Sequence, residues 1–117
     1  MKKVLVAVDG SAPSEKALEH ALEDSKKLDS QLTILRVVIS LPHGRKYPKE
    51  ALKEEIENAE EYLEELKDKA EGGGVKANTK VLTGSNAAAE IVRFAKEEDY
   101  NEIVVGGRGK LGLRPSP

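Results

Sequence analysis

Several residue types that carry common protein chemistry are absent or scarce in this sequence. There is no cysteine and no tryptophan among the 117 residues, and aromatic side chains make up only 3%. The lack of cysteine excludes disulfides, thiolate nucleophiles and cysteine-based metal sites. With only two histidines, well separated, we expect no transition-metal site. The core must therefore be built from aliphatic side chains.

Charge and hydropathy argue against two further classes of protein. The 19 basic residues nearly cancel the 21 acidic ones, whereas nucleic-acid-binding proteins usually carry a basic excess. No apolar run approaches the roughly 20 residues of a membrane-spanning helix. The apolar stretch at the N-terminus ends at Asp9 and not at a signal-peptide cleavage site. We therefore expect a soluble, cytoplasmic protein with neither nucleic acid nor membrane as a partner.

Apolar runs and helical stripes alternate along the chain. Residues 3–8 form a largely apolar run rich in valine, typical of a strand buried on both faces, and residues 32–39 form a second run rich in β-branched residues, which also predicts a strand. A stripe of Leu, Ile and Ala at helical spacing predicts a long helix over 49–71. The alternating segment 75–82 predicts an edge strand, and the short apolar run 103–105 predicts a central one. Two shorter helices occupy the remaining intervals.

This β-α-β-α-β-α-β order is typical of a parallel α/β sheet with helices on both faces. We predict a single domain over residues 1–117, a three-layer sandwich around an open, Rossmann-like parallel sheet. Ligands of such sheets bind beyond the carboxyl ends of the strands, where the strand order reverses. The loops after the first and fourth strands are therefore the candidate site.

Asp9, directly after the first strand, is the strongest candidate in the first of these loops. Its carboxylate could accept a hydrogen bond from an amine or a ribose hydroxyl, while Gly10 lets the backbone approach a ligand. Alternatively, Asp9 only caps the following turn. A phosphotransferase of the haloacid dehalogenase type is excluded, because its nucleophilic aspartate would stand where the sequence has Ala7. No residue is predicted to be catalytic.

The glycine-rich segment 106–112 fits three phosphate-binding patterns incompletely. From Gly107 it matches the letters of the dinucleotide fingerprint, but too few residues remain for the helix that the fingerprint must open. A Walker A loop would need Ser or Thr where Leu111 stands. Two interpretations stay open, a looser anion cradle to which Arg108 and Lys110 add positive charge, and a flexible glycine tail.

In their order and spacing, these motifs resemble the universal stress protein family. The resemblance extends to about residue 113 and rests on segments 4–11, 14–18 and 32–38, on Gly84 and on 103–109. It implies a five-stranded parallel sheet in the order 3-2-1-4-5, with a nucleotide pocket between strands 1 and 4.

The resemblance also implies how a nucleotide is held. Asp9 matches the family's acidic residue near adenine and ribose, and Val38 matches the strand end whose backbone contacts adenine. Gly106 and Gly109 match the first half of a glycine motif that holds ribose and phosphates. With their neighbours, the predicted cofactor-binding residues are Ala7, Val8, Asp9, Gly10, Val38, Gly106, Gly107, Arg108 and Gly109.

The function that the resemblance implies is an ATP-binding regulatory domain of the stress response, with Mg²⁺ as an optional companion of the nucleotide. Such proteins often form homodimers through strand 5, and they hydrolyse ATP slowly at most. The alternative is a dimerisation or interaction module of the same fold that binds no nucleotide.

The sequence departs from the family pattern after Gly109. Nine residues after it, the second half of the glycine motif would begin beyond Pro117. We therefore expect a strand order 3-2-1-4 with strand 5 missing and strand 4 exposed at the edge. Because an exposed edge can pair with another chain, we also expect self-association through strand 4 or the C-terminal tail.

Overall fold

The computed structural model describes residues 2–40 and 48–106 with their side chains, and residues 109–112 by their backbone. In this part of the chain the predicted alternation of strands and helices is confirmed. The elements are, in chain order, β1 Lys3–Ala7, α1 Ala12–Leu28, β2 Gln31–Ile39, α2 Lys49–Gly72, β3 Ala77–Gly84, α3 Ala87–Glu97, β4 Glu102–Val105 and β5 Gly109–Gly112.

The strands form one sheet in the order β3-β2-β1-β4-β5. β1 pairs in parallel with β2 and with β4, and β2 pairs in parallel with β3. The predicted parallel sheet in the order 3-2-1-4 is therefore confirmed, with the alternating strand β3 at an edge. The chain moves outward to one side of β1 through β2 and β3, and then returns to its other side with β4. The crevice typical of such folds lies at this reversal.

The edge of β4 is not open, and the expectation that it would be exposed is wrong. Residues 109–112, predicted as part of a glycine loop, run antiparallel to β4 as β5, with Gly109 opposite Val105. An apolar edge strand leaves a row of unpaired backbone groups, and this later segment of the same chain supplies partners for them. Gly107, Arg108 and residues 113–117 lie outside the described residues.

Each strand divides its side chains between the two faces of the sheet. Val4, Val6 and Val8 of the first strand segment pack with α1 and α2 on one face. Leu5 and Ala7 pack with α3 on the other. Because successive side chains of a strand point to opposite faces, the continuous apolar run of β1 serves both layers. Among the described helices, only α3 covers the second face.

Capping residues set where α1 and α3 begin. Ser11, the N-cap of α1, accepts the backbone N–H of Ser14 at 3.3 Å, and Pro13 lies in the first turn, where a backbone N–H is not needed. Asn86, the N-cap of α3, accepts the backbone N–H of Ala89 at 3.0 Å. Both helices follow the carboxyl end of a strand, so both N-termini lie at the same edge of the sheet.

Candidate functional site

A cavity of about 370 Å³ opens at the carboxyl ends of β1 and β4. Its walls come from those strands, from the end of β2, from the first turn of α1 and from the N-terminal half of α3. A largely apolar cleft with a few polar groups is typical of sites for small organic ligands. The lining residues are Ala7, Val8, Asp9, Ser14, Val37, Ala87, Ala88, Ile91, Val92, Ile103, Val105 and Gly106.

Four of the predicted binding residues line this cavity, namely Ala7, Val8, Asp9 and Gly106. Val38 does not line the cavity, and its neighbour Val37 does. The side chain of Val38 is buried on the other face of the sheet, with 6% exposed. Adjacent residues of a strand point to opposite faces, so only one of the two valines can face the cavity. The predicted contact of Val38 with adenine concerns its backbone and stays a prediction.

The other predicted residues are placed differently. Gly10 follows Asp9 with a φ of +87°, a conformation that glycine adopts without strain, and is not among the lining residues. Gly109 belongs to β5 opposite Val105, so it is part of the sheet and not of a free loop. Gly107 and Arg108 fall outside the described residues.

Asp9 caps the turn after β1 and also stays accessible. Its Oδ1 accepts the backbone N–H of Ser11 at 2.9 Å, which is the capping role that the sequence left open. Hydrogen bonds from the Ser11 hydroxyl and the Ser11 backbone N–H hold the pKa of the Asp9 carboxyl below its usual value, against a smaller opposing effect of burial. Because the side chain is exposed, an ionised acceptor stands at the cavity mouth at neutral pH.

Gly106 brings the end of β4 into contact with the start of α1. A Cβ on Gly106 would lie 2.5 Å from the Cα of Ser14 and 2.7 Å from its backbone nitrogen. Ser14 is itself 2% exposed, and its hydroxyl donates to the Ser11 carbonyl at 2.9 Å and accepts the Asp9 backbone N–H at 3.3 Å. The end of β4 therefore lies so close to the first turn of α1 that only glycine fits at position 106.

Sequence relatives identify the family of the chain. The model of the universal stress protein family matches residues 1–115. The chain belongs to the universal stress protein family. Universal stress protein YxiE of Bacillus subtilis is 38% identical to it, over 96% of this chain and 82% of that protein. A universal stress protein of Methanocaldococcus jannaschii is 37% identical, over 96% of this chain and 68% of that protein. The resemblance noted from the motifs is confirmed.

Solved universal stress proteins share the fold. The protein from Archaeoglobus fulgidus, determined in complex with dAMP, is similar with a TM-score of 0.70 and 26% identity, over 92% of this chain and 82% of that chain. A family member from Arabidopsis thaliana with AMP bound gives a TM-score of 0.68 and 25% identity, over 93% of this chain and 78% of that chain. Both of those proteins hold an adenine nucleotide.

The wall that α3 contributes to the site of this universal stress protein was not predicted from the sequence. Four residues from the first half of α3 line the cavity, whereas the sequence pattern predicted only a short helix in this interval. The sequence did contain a signal for this wall. Gly84 ends β3 and Asn86 caps α3, so α3 begins at the same edge of the sheet as Asp9. The α3 residues in the wall are Ala87, Ala88, Ile91 and Val92.

The described part of the chain contains neither a cluster of metal-ligating side chains nor a membrane-spanning helix. Within residues 2–40 and 48–106, no three His, Asp or Glu side chains lie close enough together to hold a metal ion. In the same part of the chain, no helix combines the length and the apolar composition needed to cross a membrane.

Proposed function

We propose that this universal stress protein is a regulatory domain that binds an adenine nucleotide, ATP in the first place, in the cavity between β1 and β4. The observation that carries the proposal is the cavity of about 370 Å³ at the strand-order reversal, with the ionised carboxylate of Asp9 at its mouth. The AMP and dAMP complexes of two relatives support the same class of ligand here. We propose residues 1–117 as one domain of this kind, acting in the cytoplasm.

The lining residues suit the parts of an adenine nucleotide. The faces of adenine are apolar and would pack against the half-buried side chains of Ile91, Val92 and Val105. The Asp9 carboxylate would accept a hydrogen bond from a ribose hydroxyl or from the adenine amine. By the family motif, the phosphates would extend toward Gly106 and the segment after it.

The described residues fit Mg²⁺ only as a companion of the nucleotide. Asp9 is the carboxylate that lines the cavity, and one carboxylate together with phosphate oxygens is a common way to bind Mg²⁺. The phosphates would therefore supply most of its ligands, and Mg²⁺ would neutralise part of their charge.

We propose regulation, not dedicated catalysis, as the role of the bound nucleotide. A general base works best with a pKa near the operating pH, and the pKa of Asp9 is shifted the other way. The Ser14 hydroxyl is buried and engaged with the backbone of Ser11 and Asp9, so it is poorly placed as a nucleophile. Any ATP hydrolysis should therefore be slow.

Calorimetric titration with ATP, AMP and adenosine, with and without Mg²⁺, tests the proposal. We expect micromolar ATP binding by the unchanged chain and about tenfold weaker binding by Asp9→Asn, the size of one lost hydrogen bond to a charged group. Asp29→Asn is the matched control, because Asp29 is also exposed but ends α1 at the opposite edge of the sheet. Unchanged affinity of Asp9→Asn would place the nucleotide elsewhere.

A second pair of variants tests the cavity itself. Ala88 lines the cavity, and Ala89 beside it does not, although both are exposed in the first turn of α3. Ala88→Trp should block nucleotide binding, and Ala89→Trp should leave it intact. If the unchanged chain binds no nucleotide even at millimolar concentration, the alternative holds, and the domain is an interaction module without nucleotide.

We also propose that the chain forms a homodimer through the edge of the sheet beyond β4. Since β5 covers β4, the pairing surface moves to β5, whose outer edge has no strand beside it in the described sheet. Size-exclusion chromatography with light scattering tests this proposal. A monomer that persists at high protein concentration would contradict it.

A further inference from the structure

A second cleft lies at the amino ends of β2 and β3, at the edge of the sheet opposite the Asp9 cavity. Its volume is about 510 Å³, which is within the usual range for sites of small molecules. Its walls come from the segment 25–31, where α1 ends and β2 begins, and from the segment 74–78, where the turn after α2 leads into β3. The two cavities share no lining residue, so a ligand in this cleft would occupy a separate site.

A buried hydroxyl group faces this cleft without a partner of its own. Ser25 is only 6% exposed and belongs to the wall, and within residues 2–40 and 48–106 its hydroxyl makes no hydrogen bond. The other two buried hydroxyls of the described residues, those of Ser14 and Thr33, do have partners. No fully enclosed side-chain oxygen or nitrogen in this part of the chain lacks a partner, so Oγ of Ser25 must reach open space, and the cleft is the space beside it. Since buried polar groups are normally hydrogen-bonded, a ligand would supply the missing partner.

Two lysines bring positive charge to the same cleft. Lys26 of α1 and Lys76, just before β3, both line it and are exposed. Neither ammonium group forms an ion pair or a hydrogen bond within residues 2–40 and 48–106, whereas Lys2 pairs with Glu102 at 2.8 Å. Among the described lining residues Asp29 carries the opposing charge, so the wall has one more positive charge than negative. This balance favours a ligand with a net negative charge.

The end of α2 does not cancel this positive charge. A helix carries partial negative charge at its C-terminus, because its last carbonyls lack partners within the helix. Here the carbonyls of residues 69–71 accept the backbone N–H groups of residues 73–75. Lys26 also reaches this end, since a Cβ on Gly73 would lie 3.6 Å from its Nζ. The negative end of α2 is therefore offset by groups of the protein itself.

The remaining polar groups of the wall suit hydroxyl groups of a ligand. The Asp29 carboxylate accepts hydrogen bonds, and the side-chain amides of Gln31 and Asn78 both donate and accept. All three residues line the cleft and are exposed. A hydroxylated ligand offers a donor and an acceptor at each of its hydroxyls, whereas an apolar ligand would leave these groups unpaired.

We propose that this cleft is a second ligand site, which binds a small hydroxylated organic anion. Its anionic group, a carboxylate or a phosphate, pairs with Lys26 and Lys76, and one of its hydroxyls pairs with Ser25. Hydroxy acids and sugar phosphates share this chemistry, and the experiment separates them. The proposal goes beyond nucleotide binding and does not depend on it, because it uses no residue of the Asp9 cavity.

The test follows the backbone amide shifts of isotope-labelled protein by NMR during titration with D-glycerate, glucose 6-phosphate or uncharged glucose. Both anions should shift the amides of segments 25–31 and 74–78, and glucose should bind about tenfold more weakly than glucose 6-phosphate, the size of one charge-assisted contact. The tighter of the two anions identifies the preferred anionic group. Shifts confined to the surroundings of Asp9 and Ala88, or no shifts at millimolar concentration, would overturn the proposal.

A pair of lysine variants tests the charge of the cleft. Lys76→Gln should weaken both anions about tenfold and leave glucose unchanged. Lys80→Gln is the matched control, because Lys80 is also exposed and lies four residues further along the same segment of chain, in β3, but does not line the cleft. Equal effects of the two substitutions, or equal losses for the anions and glucose, would overturn the proposed site.

Ser25→Ala tests the buried hydroxyl. It should weaken all three probes about fivefold, the size of one hydrogen bond. The free energy of unfolding in urea should not fall, because the hydroxyl has no partner within the described residues and alanine is preferred inside a helix. A less stable variant with unchanged affinities would show that Ser25 serves the fold, and would overturn its role as a ligand contact.

Discussion

The hydroxyl of Tyr100 donates to Oγ1 of Thr33 at 2.7 Å inside the buried α3 face of the sheet, although 67 residues separate the two in the chain. The Tyr100 ring also packs against Phe94, with ring centroids 5.8 Å apart, and lies 4.6 Å below the Nζ of Lys3. These contacts join the turn after α3 to β1 and β2 near the amino ends of the strands. They anchor the end of α3 that lies away from the cavity.

Loss of the Tyr100 hydroxyl should destabilise the fold without affecting the site. Tyr100→Phe leaves the buried Thr33 hydroxyl without its partner, which should lower the free energy of unfolding by about 1–2 kcal/mol. Urea unfolding of Tyr100→Phe, Thr33→Val and the double variant checks this. The double variant should lose less than the sum of the single losses, because both remove the same bond. Additive losses would contradict a direct interaction.

A methyl group at position 106 should be poorly tolerated. The Cβ of Gly106→Ala would overlap the backbone of Ser14, which cannot move without displacing α1, so we expect a loss of about 1–3 kcal/mol. Gly72→Ala is the control, since a Cβ there meets nothing within 4 Å and lies in a helix, where alanine is preferred. Chemical denaturation of both variants tests the contrast, and equal stability of the two would refute it.

The cap of α3 should link stability to nucleotide binding. Asn86→Ala removes the acceptor for the Ala89 N–H and should lower the free energy of unfolding by about 1 kcal/mol. Because the following turns of α3 line the cavity, nucleotide affinity should fall as well. Asn86→Ser restores a cap of similar quality and should recover both properties. Recovery of stability without affinity would show that the cap acts on the fold alone.

Asp9 should stabilise the protein at neutral pH and lose that effect in acid. Its pKa is lower in the folded state than the ordinary value of 3.8, so its contribution is present above that value and disappears as the pH falls through the folded-state pKa. The difference in unfolding free energy between the unchanged chain and Asp9→Asn should therefore shrink between about pH 7 and about pH 3. A difference that stays constant over this range would contradict the lowered pKa.

Much of the fold could be predicted because strong local patterns and topology agree. The apolar run before Asp9 corresponds to β1, and the helical stripe over 49–71 corresponds to α2. Right-handed crossovers between parallel strands then leave few possible sheet orders. The position of Asp9 at the mouth of the crevice follows from the same rules, since it ends the first strand of a sheet whose order reverses there.

The antiparallel strand β5 could not be predicted from local sequence patterns. Its sequence, Gly109 to Gly112, has the glycine content of a loop and little strand propensity. Pairing with β4 decided its structure, because the edge of an apolar strand requires partners for its backbone groups. That requirement comes from β4, so it leaves no pattern within residues 109–112 themselves.

By itself, the sequence determined the order and type of the main elements, the family and the position of Asp9, because these depend on periodicity, capping and motif spacing. The tertiary structure alone decided which valine at the end of β2 faces the cavity, that α3 forms its wall and that Gly106 must touch Ser14. It also brought Arg36, Tyr62 and Glu15 together from three different elements. The physical reason is that these relationships depend on how distant elements pack, and packing distances have no counterpart in local spacing along the chain.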